Sequence, residues 1–312
     1  MKKWLLIILI VAFVIAILYL ITPSKHGIEN KIGIMVNAKS FSRTILEDSK
    51  WKQWWPGKIK EMEGKPIFSF NKFNYTISEK NLNSVVVTIS DGSDSFQSEL
   101  LFIPENRDSV VLTWHSNIVV PGGPVKSLET YFTARQLRKD FEIVLQRIKA
   151  FYAKDENIYG IEIRNEFVID STLISTSLTT QQYPTTENVY GLISKLENFA
   201  KQKNAKLTGL PMLNINRVDS TSFVIKVALP VDKKLPDEGD IVYRWMLGGG
   251  NILVAEVKGG PYKINKAFEA LENYIRDYNR TAPAIPFQSL VKDRRLETDT
   301  SKWITKVYWP VM

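Results

Sequence analysis

Phe223-Val-Ile-Lys-Val-Ala-Leu-Pro-Val231 and Trp303-Ile-Thr-Lys-Val-Tyr-Trp-Pro-Val311 are two copies of one nine-residue phrase, set 80 residues apart. The same Lys, Val, Pro and Val recur at matching places. A second pair, Leu196-Glu-Asn-Phe199 and Leu271-Glu-Asn-Tyr274, repeats at an offset of 75. Around it, Val189, Leu192, Ile193, Leu196, Phe199 and Ala200 in the first copy match Ile264, Ala267, Phe268, Leu271, Tyr274 and Ile275 in the second. Both sets step by three and four residues, which is the apolar stripe of an amphipathic helix. Leu210-Pro211 and Ile285-Pro286 keep the offset of 75, so the extra residues of the second copy fall in Lys292-Asp-Arg-Arg-Leu-Glu-Thr-Asp-Thr-Ser301. A hairpin loop there absorbs an insertion at small entropic cost. The C-terminal half is an internal duplication, each copy a strand, a helix and two strands.

The whole chain has 312 residues, 44% apolar and 24% charged, the composition of a globular protein too long for one ordinary domain. It contains no cysteine, which excludes disulfides and thiolate metal sites. A net charge of +8 raises nucleic acid or an anionic membrane as partners. The basic residues are spread among acids, as from Arg135 to Lys154, which reads as an ordinary solvated surface. Direct nucleic-acid binding is not expected.

Trp4 through Ile21 runs without a charge behind Met1-Lys-Lys. Eighteen helical residues span about 27 Å, close to the ~30 Å hydrocarbon core of a bilayer. Tyr19-Leu-Ile-Thr-Pro23 offers no small-x-small cleavage site, so the segment reads as an uncleaved anchor, with the bilayer as partner through residues 4–21. Lysines precede the span, and only Lys25 and His26 follow it closely, which places the N-terminus inside. The remaining chain is then expected on the outer, periplasmic side of a bacterial cytoplasmic membrane.

After a short linker, Pro23 to Gly27, Lys31 to Val36 alternates as a strand, and Asn37 or Ser40 is placed to cap a helix around Phe41 to Leu46. Trp51-Lys-Gln-Trp-Trp-Pro-Gly57 reads as an aromatic turn. Strand-like runs follow at Pro66 to Ile77, Ser84 to Ile89, Phe96 to Ile103 and Val110 to Val119. A long helix carrying Leu128, Phe132, Phe141, Val144, Leu145, Ile148 and Tyr152 closes the unit, making it α+β.

Two resemblances join these readings. A strand and short helix followed by Asp48-Ser-Lys-Trp-Lys-Gln-Trp-Trp-Pro-Gly57 resembles the START-like polyketide-cyclase (SRPBCC) superfamily over residues 28 to 155. That implies a curved antiparallel sheet gripping a long C-terminal helix, with a hydrophobic-ligand pocket between them, or the relic of one. From Ile161 to Val311 the chain resembles the GyrI-like effector-binding domain of bacterial transcription activators. The residues that carry this are Ile161-Glu-Ile-Arg164, Gly259-Gly-Pro-Tyr262, Ala267-Phe268, Leu271 and Thr305-Lys-Val-Tyr-Trp-Pro-Val311. It implies a small-molecule site between two pseudo-symmetric β-α-β-β units. The expected organisation is thus an anchor and linker at residues 1–24, a helix-grip START-like domain at 25–156 and a GyrI-like domain at 157–312.

The second resemblance breaks at one place. Relatives carry an acid, which meets cationic ligands, where this chain has Lys306. Strand alternation puts Lys306 and Tyr308 on one face, with Lys226 in the same phase of the first copy. A buried ammonium needs a partner, and Glu256 on a neighbouring strand is the candidate. The domain is therefore expected not to prefer cations. Candidate ligand-contacting residues are Lys306, Tyr308, Glu256, Tyr262, Phe268, Lys226, Trp54 and Trp55, each weighed against simple packing.

Enzyme chemistry has thin support. The chain has no Gly-x-Ser-x-Gly elbow and two histidines, and the Gly248-Gly-Gly250 run lacks the Lys-Ser/Thr of a phosphate loop. No cofactor or metal is called for. Glu256 with Tyr308 is the minority catalytic pair of a hydrolase or cyclase. The leading reading is a membrane-anchored, non-enzymatic protein that binds a small apolar or amphiphilic molecule. A scaffold with filled cavities and an unknown protein partner is the third.

Overall fold

In a computed structural model, the structure describes residues 25–312 apart from 63, 93, 121, 170 and 171, together with residues 13, 14, 17 and 23. The expected anchor lies outside the described residues except for Phe13, Val14 and Ile17, which are helical and exposed. Among the described residues no helix is long and apolar enough to cross a membrane. The chain divides into two compact units, one ending at Lys154 and the other beginning at Asp155.

The first unit is a seven-stranded antiparallel sheet in the order β1-β7-β6-β5-β4-β3-β2. β1 is Lys25–Met35, β2 Lys58–Met62, β3 Lys65–Phe70, β4 Phe73–Lys80, β5 Ser84–Ser90, β6 Ser95–Asn106 and β7 Ser109–Val119. Between β1 and β2 lie α1 (Ala38–Ile45) and α2 (Asp48–Trp54), and α3 (Pro124–Tyr152) closes the unit. Asn37 caps α1, its side chain accepting from the amides of Lys39 and Ser40.

Four expectations change here. Lys25, His26 and Gly27 belong to β1, paired with Val119, Ile118 and Asn117, rather than to a linker. The run Pro66 to Ile77 is a hairpin, turned at Asn71 in the left-handed region (φ 51°) that asparagine tolerates. Trp51 and Trp54 sit on a helix, and the turn follows at Trp55-Pro56-Gly57. Gly57 is required there, because a Cβ would lie 1.8 Å from the Ser69 carbonyl oxygen. Finally, Leu128 and Phe132 face outward from α3 instead of into the core.

The grip is filled. Trp51, Trp54, Trp55, Phe68, Tyr75 and Trp114 are buried in one ring cluster, and Trp114 stacks on Phe141 of α3 at 4.6 Å. Trp51 donates to the Ile45 carbonyl and Trp55 to that of Ser69. Trp54 and Trp55 are thus core, which removes them from the ligand candidates. Aromatic burial of this density is the main hydrophobic stabilisation of the unit. Asp140 of α3 is buried beside the cluster, accepting from Asn71 and Gln136 at 2.7 and 2.8 Å. Desolvation pushes its carboxyl up.

The second unit is an eight-stranded antiparallel sheet, β12-β9-β11-β10-β14-β15-β13-β8, preceded by the short helix α4 (Asp155–Tyr159). The first copy is β9 (Thr172–Thr180), α5 (Thr186–Gln202), β10 (Met212–Arg217) and β11 (Phe223–Pro230). The second is β13 (Asn251–Lys258), α6 (Pro261–Asp277), β14 (Phe287–Leu290) and β15 (Ile304–Pro310). The helices keep the offset of 75 at both ends, and each copy has the order strand, helix, strand, strand. β10 and β14 pair at the seam, Met212 opposite Ser289 and Leu213 opposite Gln288. One further strand extends each outer side, β12 (Val242–Trp245) against β9 and β8 (Arg164–Phe167) against β13.

Both helices lie on one face of this sheet. Under α5, Val189, Ile193, Leu196 and Phe199 pack on Leu213, Ile225 and Val227. Under α6, Ile264, Ala267 and Leu271 pack on Leu253, Ala255 and Val307. The other face carries a separate apolar cluster of Leu173, Met212, Ile252 and Phe287, with Ala228, Met246 and Tyr308 packed against it. That helix-free face holds the candidate site.

Candidate functional site

Side chains on the helix-free face are set by the alternation of the strands. One row runs Ser177, Lys226, Asn214 on β9, β11 and β10, and the next runs Ser175, Ala228, Met212, Ser289, Lys306, Glu256 across the seam. Extending the register one step places Asn214 beside Phe287, which faces Tyr308. The seam is therefore pseudo-two-fold. At the offset of 75, Met212 matches Phe287 and Asn214 matches Ser289, and at the offset of 80, Lys226 matches Lys306 and Ala228 matches Tyr308.

Two hollows occupy this face, one in each copy. The first, of 310 Å³, is lined by Lys226, Ala228, Met212, Asn214, Phe287 and Ala284-Ile285. Leu173, Val242, Arg244, Trp245 and Met246 also line it. The second, of 280 Å³, is lined by Tyr308, Phe287, Met212, Met246, Ser289, Ile252 and Gly209-Leu210, with Glu166 and Phe167 of β8. Gly209-Leu210 and Ala284-Ile285 are again an offset of 75 apart, so the hollows are pseudo-symmetry mates that share Met212, Met246 and Phe287 as their partition. Their sizes match the lower end of small-molecule sites.

The mates differ in filling and in charge. Tyr308 stacks on Phe287 at 5.1 Å and 14° in the second copy, where the first copy has the methyl of Ala228. The first hollow carries Lys226 and Arg244, and among the described residues neither lies within ion-pair distance of an acid. Its carboxylate, Asp240, is bound to Lys195 at 2.6 and 2.7 Å and to the Thr176 hydroxyl. Those partners hold the Asp240 carboxyl below the usual carboxylate range. Among the described residues, the second hollow has Glu166 as its one charged lining residue, with Arg164 at 3.9 Å.

Of the residues singled out in the sequence, Lys226 and Tyr308 line these hollows, one in each. Lys306 shares the face, directly opposite Glu256 in register, but lines neither hollow, and among the described residues the two form no ion pair. Glu256 lines a different 500 Å³ hollow between α6 and the end of β13 that extends past β8, with Lys258, Lys263 and Lys266. Glu256 and Tyr308 are diagonal neighbours on one face of β13 and β15, but they line different hollows. Tyr262 is 74% exposed on the first turn of α6, and Phe268 packs edge-on against Trp309 in the helix-side core. Neither reaches the helix-free face, because the helix carries them to the other side of the sheet. Among the described residues no group of His, Asp and Glu is placed to hold a metal ion.

Met212, Asn214, Ala228, Arg244, Trp245, Met246, Ala284 and Ile285 escaped the sequence reading. For Met212 and Ala228 a signal existed. Met212 follows Leu210-Pro211 as Phe287 follows Ile285-Pro286, and Ala228 stands in the repeated phrase where Tyr308 does. Carrying the known offsets onto those residues identifies the unequal positions. Arg244, Trp245 and Met246 lie between the copies, where no repeat marks them.

The second copy's insertion is also more than slack. Arg294 donates to Gln288 at 2.7 Å and Thr305 at 3.0 Å, its guanidinium lies 4.3 Å from the Trp303 ring centroid, and its amide donates to the Tyr190 hydroxyl at 2.7 Å. Tyr190 belongs to α5, so the loop of one copy clamps the helix of the other. Burial pushes the Arg294 pKa down without discharging it.

No family model matches the chain, and no curated protein matches it. Among solved structures it is similar to a complex of EcmrR with DNA, at 14% identity and a TM-score of 0.42, covering 60% of this chain and 70% of that one. It is similar to the EcmrR C-terminal domain at 14% identity and a TM-score of 0.38, covering 49% of this chain and 98% of that one. It is also similar to a START superfamily protein from Mycobacterium smegmatis, at 15% identity and a TM-score of 0.30, covering 41% of this chain and 97% of that one.

Proposed function

We propose that the second unit binds a small apolar or anionic amphiphilic molecule on its helix-free face, without transforming it, and that residues 4–21 tether the protein to a membrane. The observation that carries the binding reading is the first hollow. Its walls are Met212, Met246, Phe287 and Trp245, and its cationic groups, Lys226 and Arg244, are left unneutralised by acids within ion-pair distance among the described residues. Apolar walls with a few polar groups at one side suit a molecule with a tail and a head. The unpaired cations favour an anionic head. The tether rests on the uncharged run from Trp4 to Ile21 and is consistent with the periplasmic placement argued from its flanking charges.

Titrating a medium-chain alkyl carboxylate, an alkyl glucoside and an alkyltrimethylammonium salt against the protein tests the reading, with tryptophan fluorescence as the signal. Trp245 lines the hollow and is exposed, so Trp245→Phe should remove most of the change. The carboxylate is expected to bind most tightly and the ammonium least. Tightest binding of the ammonium, or no saturable binding by any of the three, rejects the proposal.

A further inference from the structure

The first two turns of α3 are inside out. Their inward positions are the polar Ser127 and Thr130, both buried. Their outward positions include Val125, Leu128, Tyr131 and Phe132, which are 72, 57, 49 and 55% exposed, interleaved with the ion pair of Lys126 and Glu129. From Ala134 onward the pattern reverts, with Leu137, Phe141, Val144 and Ile148 buried and Arg135, Arg138, Lys139 and Glu142 outside. A helix in water has no reason to change polarity after two turns. Val119, at the end of β7, adds a further exposed side chain at the same end of the unit.

The position of this patch says what covers it. Val119 pairs with Lys25, the first residue of β1. The next residue, His26, lies with Nε2 3.3 Å from the Ser127 hydroxyl and its ring 6.0 Å from that of Tyr131. The chain thus arrives at the patch directly from the uncharged run. Only Thr22, Pro23 and Ser24 separate Ile21 from Lys25, a reach of at most about 14 Å when extended. If residues 4–21 cross a bilayer, the start of α3 cannot be further than that from its surface.

We infer that the N-terminal end of α3, with the end of β7, rests in the headgroup region of a phospholipid bilayer, so that the first unit lies against the membrane by a fixed face. The inference rests on the tether proposed above. Tyr131 and Phe132, in edge-to-face contact at 5.7 Å, form the kind of aromatic pair that settles at that interface. Lys25, at the start of β1, flanks the patch with a long stem that reaches lipid phosphates, whereas Lys126 is held by Glu129 at 2.8 Å. A hollow of 860 Å³ opens beside it, with Phe96, Ile118, Val119 and Phe132 as well as Asp91, Asp94 and Glu129 in its lining.

The absence of cysteine makes the test clean. The full chain is reconstituted in vesicles of phosphatidylethanolamine and phosphatidylglycerol, carrying one fluorophore at Val125→Cys, Leu128→Cys or Phe132→Cys. Leu82→Cys and Ile103→Cys, exposed at the opposite end of the sheet, serve as references. Brominated lipids should remove most of the emission at 125, 128 and 132 and none at 82 and 103. Equal quenching at all five positions, or at none while the chain resists carbonate extraction, overturns the inference and leaves the tether standing. Release of the chain by carbonate removes the tether and the inference with it. Labels at 125, 128 and 132 that are shielded but insensitive to brominated lipid identify a protein partner or a second copy there, and also overturn it.

Discussion

The two copies of the second unit keep one apolar stripe where each helix presses on the sheet, and exchange small for large side chains beside the hollows of the open face. On the helix side, Leu196 and Leu271 are both fully buried, and Val227 is matched by Val307, also fully buried. On the open face, Ala228 stands against Tyr308 and Met212 against Phe287. A packed interior penalises an uncompensated change of volume, so the core keeps its helical spacing and its central leucine while neighbouring side chains change size. The open face has no such constraint, and the hollow of one copy carries Lys226 and Arg244 while that of the other carries a stacked tyrosine.

Truncating the matched leucines bears on this comparison with the largest effect. Leu196→Ala and Leu271→Ala should each cost about 2–5 kcal/mol, since each leaves a cavity under a helix. Both are read from the denaturant midpoint of the second unit. If the copies are structural equals, the two costs should agree within about 2 kcal/mol, the size of the spread that local collapse introduces. A neutral Leu271→Ala beside a severe Leu196→Ala would mean that only one half carries the fold.

Next comes the place where the copies are tied together. Arg294→Ala removes two side-chain hydrogen bonds and a ring contact from a half-buried site. It should cost about 1–3 kcal/mol by the same measurement. Arg294→Lys keeps the charge but cannot reach Gln288 and Thr305 together, so it should recover less than half of the loss. A stability unchanged in Arg294→Ala would return the loop to the role of a passive insertion.

The duplication was legible because it is written in two signals at once, a helical stripe and a strand phrase, and packing preserves both. The offset of 75 fixed the helix ends, and the change to 80 located the loop that carries Arg294. What that loop does was not legible, since its partners Tyr190, Gln288 and Thr305 are brought to it by the sheet. In the first unit, Asn37 as a cap and α3 as a closing helix could be read. The fate of Trp51, Trp54 and Trp55 could not, because a ring cluster closing a pocket and one lining it have the same composition. Tyr262 and Phe268 misled for a related reason. They belong to the best-matching stretch of the second copy, yet α6 carries them away from the hollow face.

Exchanging the unequal residues probes the open face directly. Ala228→Tyr should close the first hollow and weaken the alkyl carboxylate by about tenfold or more, equivalent to ~1.4 kcal/mol. Tyr308→Ala should open the second hollow, leave the first site's affinity within about twofold, and cost about 1 kcal/mol of stability through the lost stack on Phe287. Calorimetric titration gives affinity and stoichiometry together. If Tyr308→Ala abolishes binding while Ala228→Tyr does not, the second hollow is the site and the roles of the copies are reversed.

The smallest effect separates two lysines that the sequence treats as equivalents. Lys226 lines the first hollow, whereas Lys306 lies across the seam and lines neither. A partly exposed charge pair contributes up to about 1 kcal/mol, so Lys226→Gln should weaken the carboxylate by about two- to fivefold. Added salt should shrink that difference, because mobile ions screen an exposed pair. Lys306→Gln should leave the affinity unchanged at every salt concentration. Equal losses for both would mean that the bound molecule crosses the seam and uses the face symmetrically. The unequal pair Ala228 and Tyr308 would then set the depth to which it sits, and the lysines would grip it from both copies.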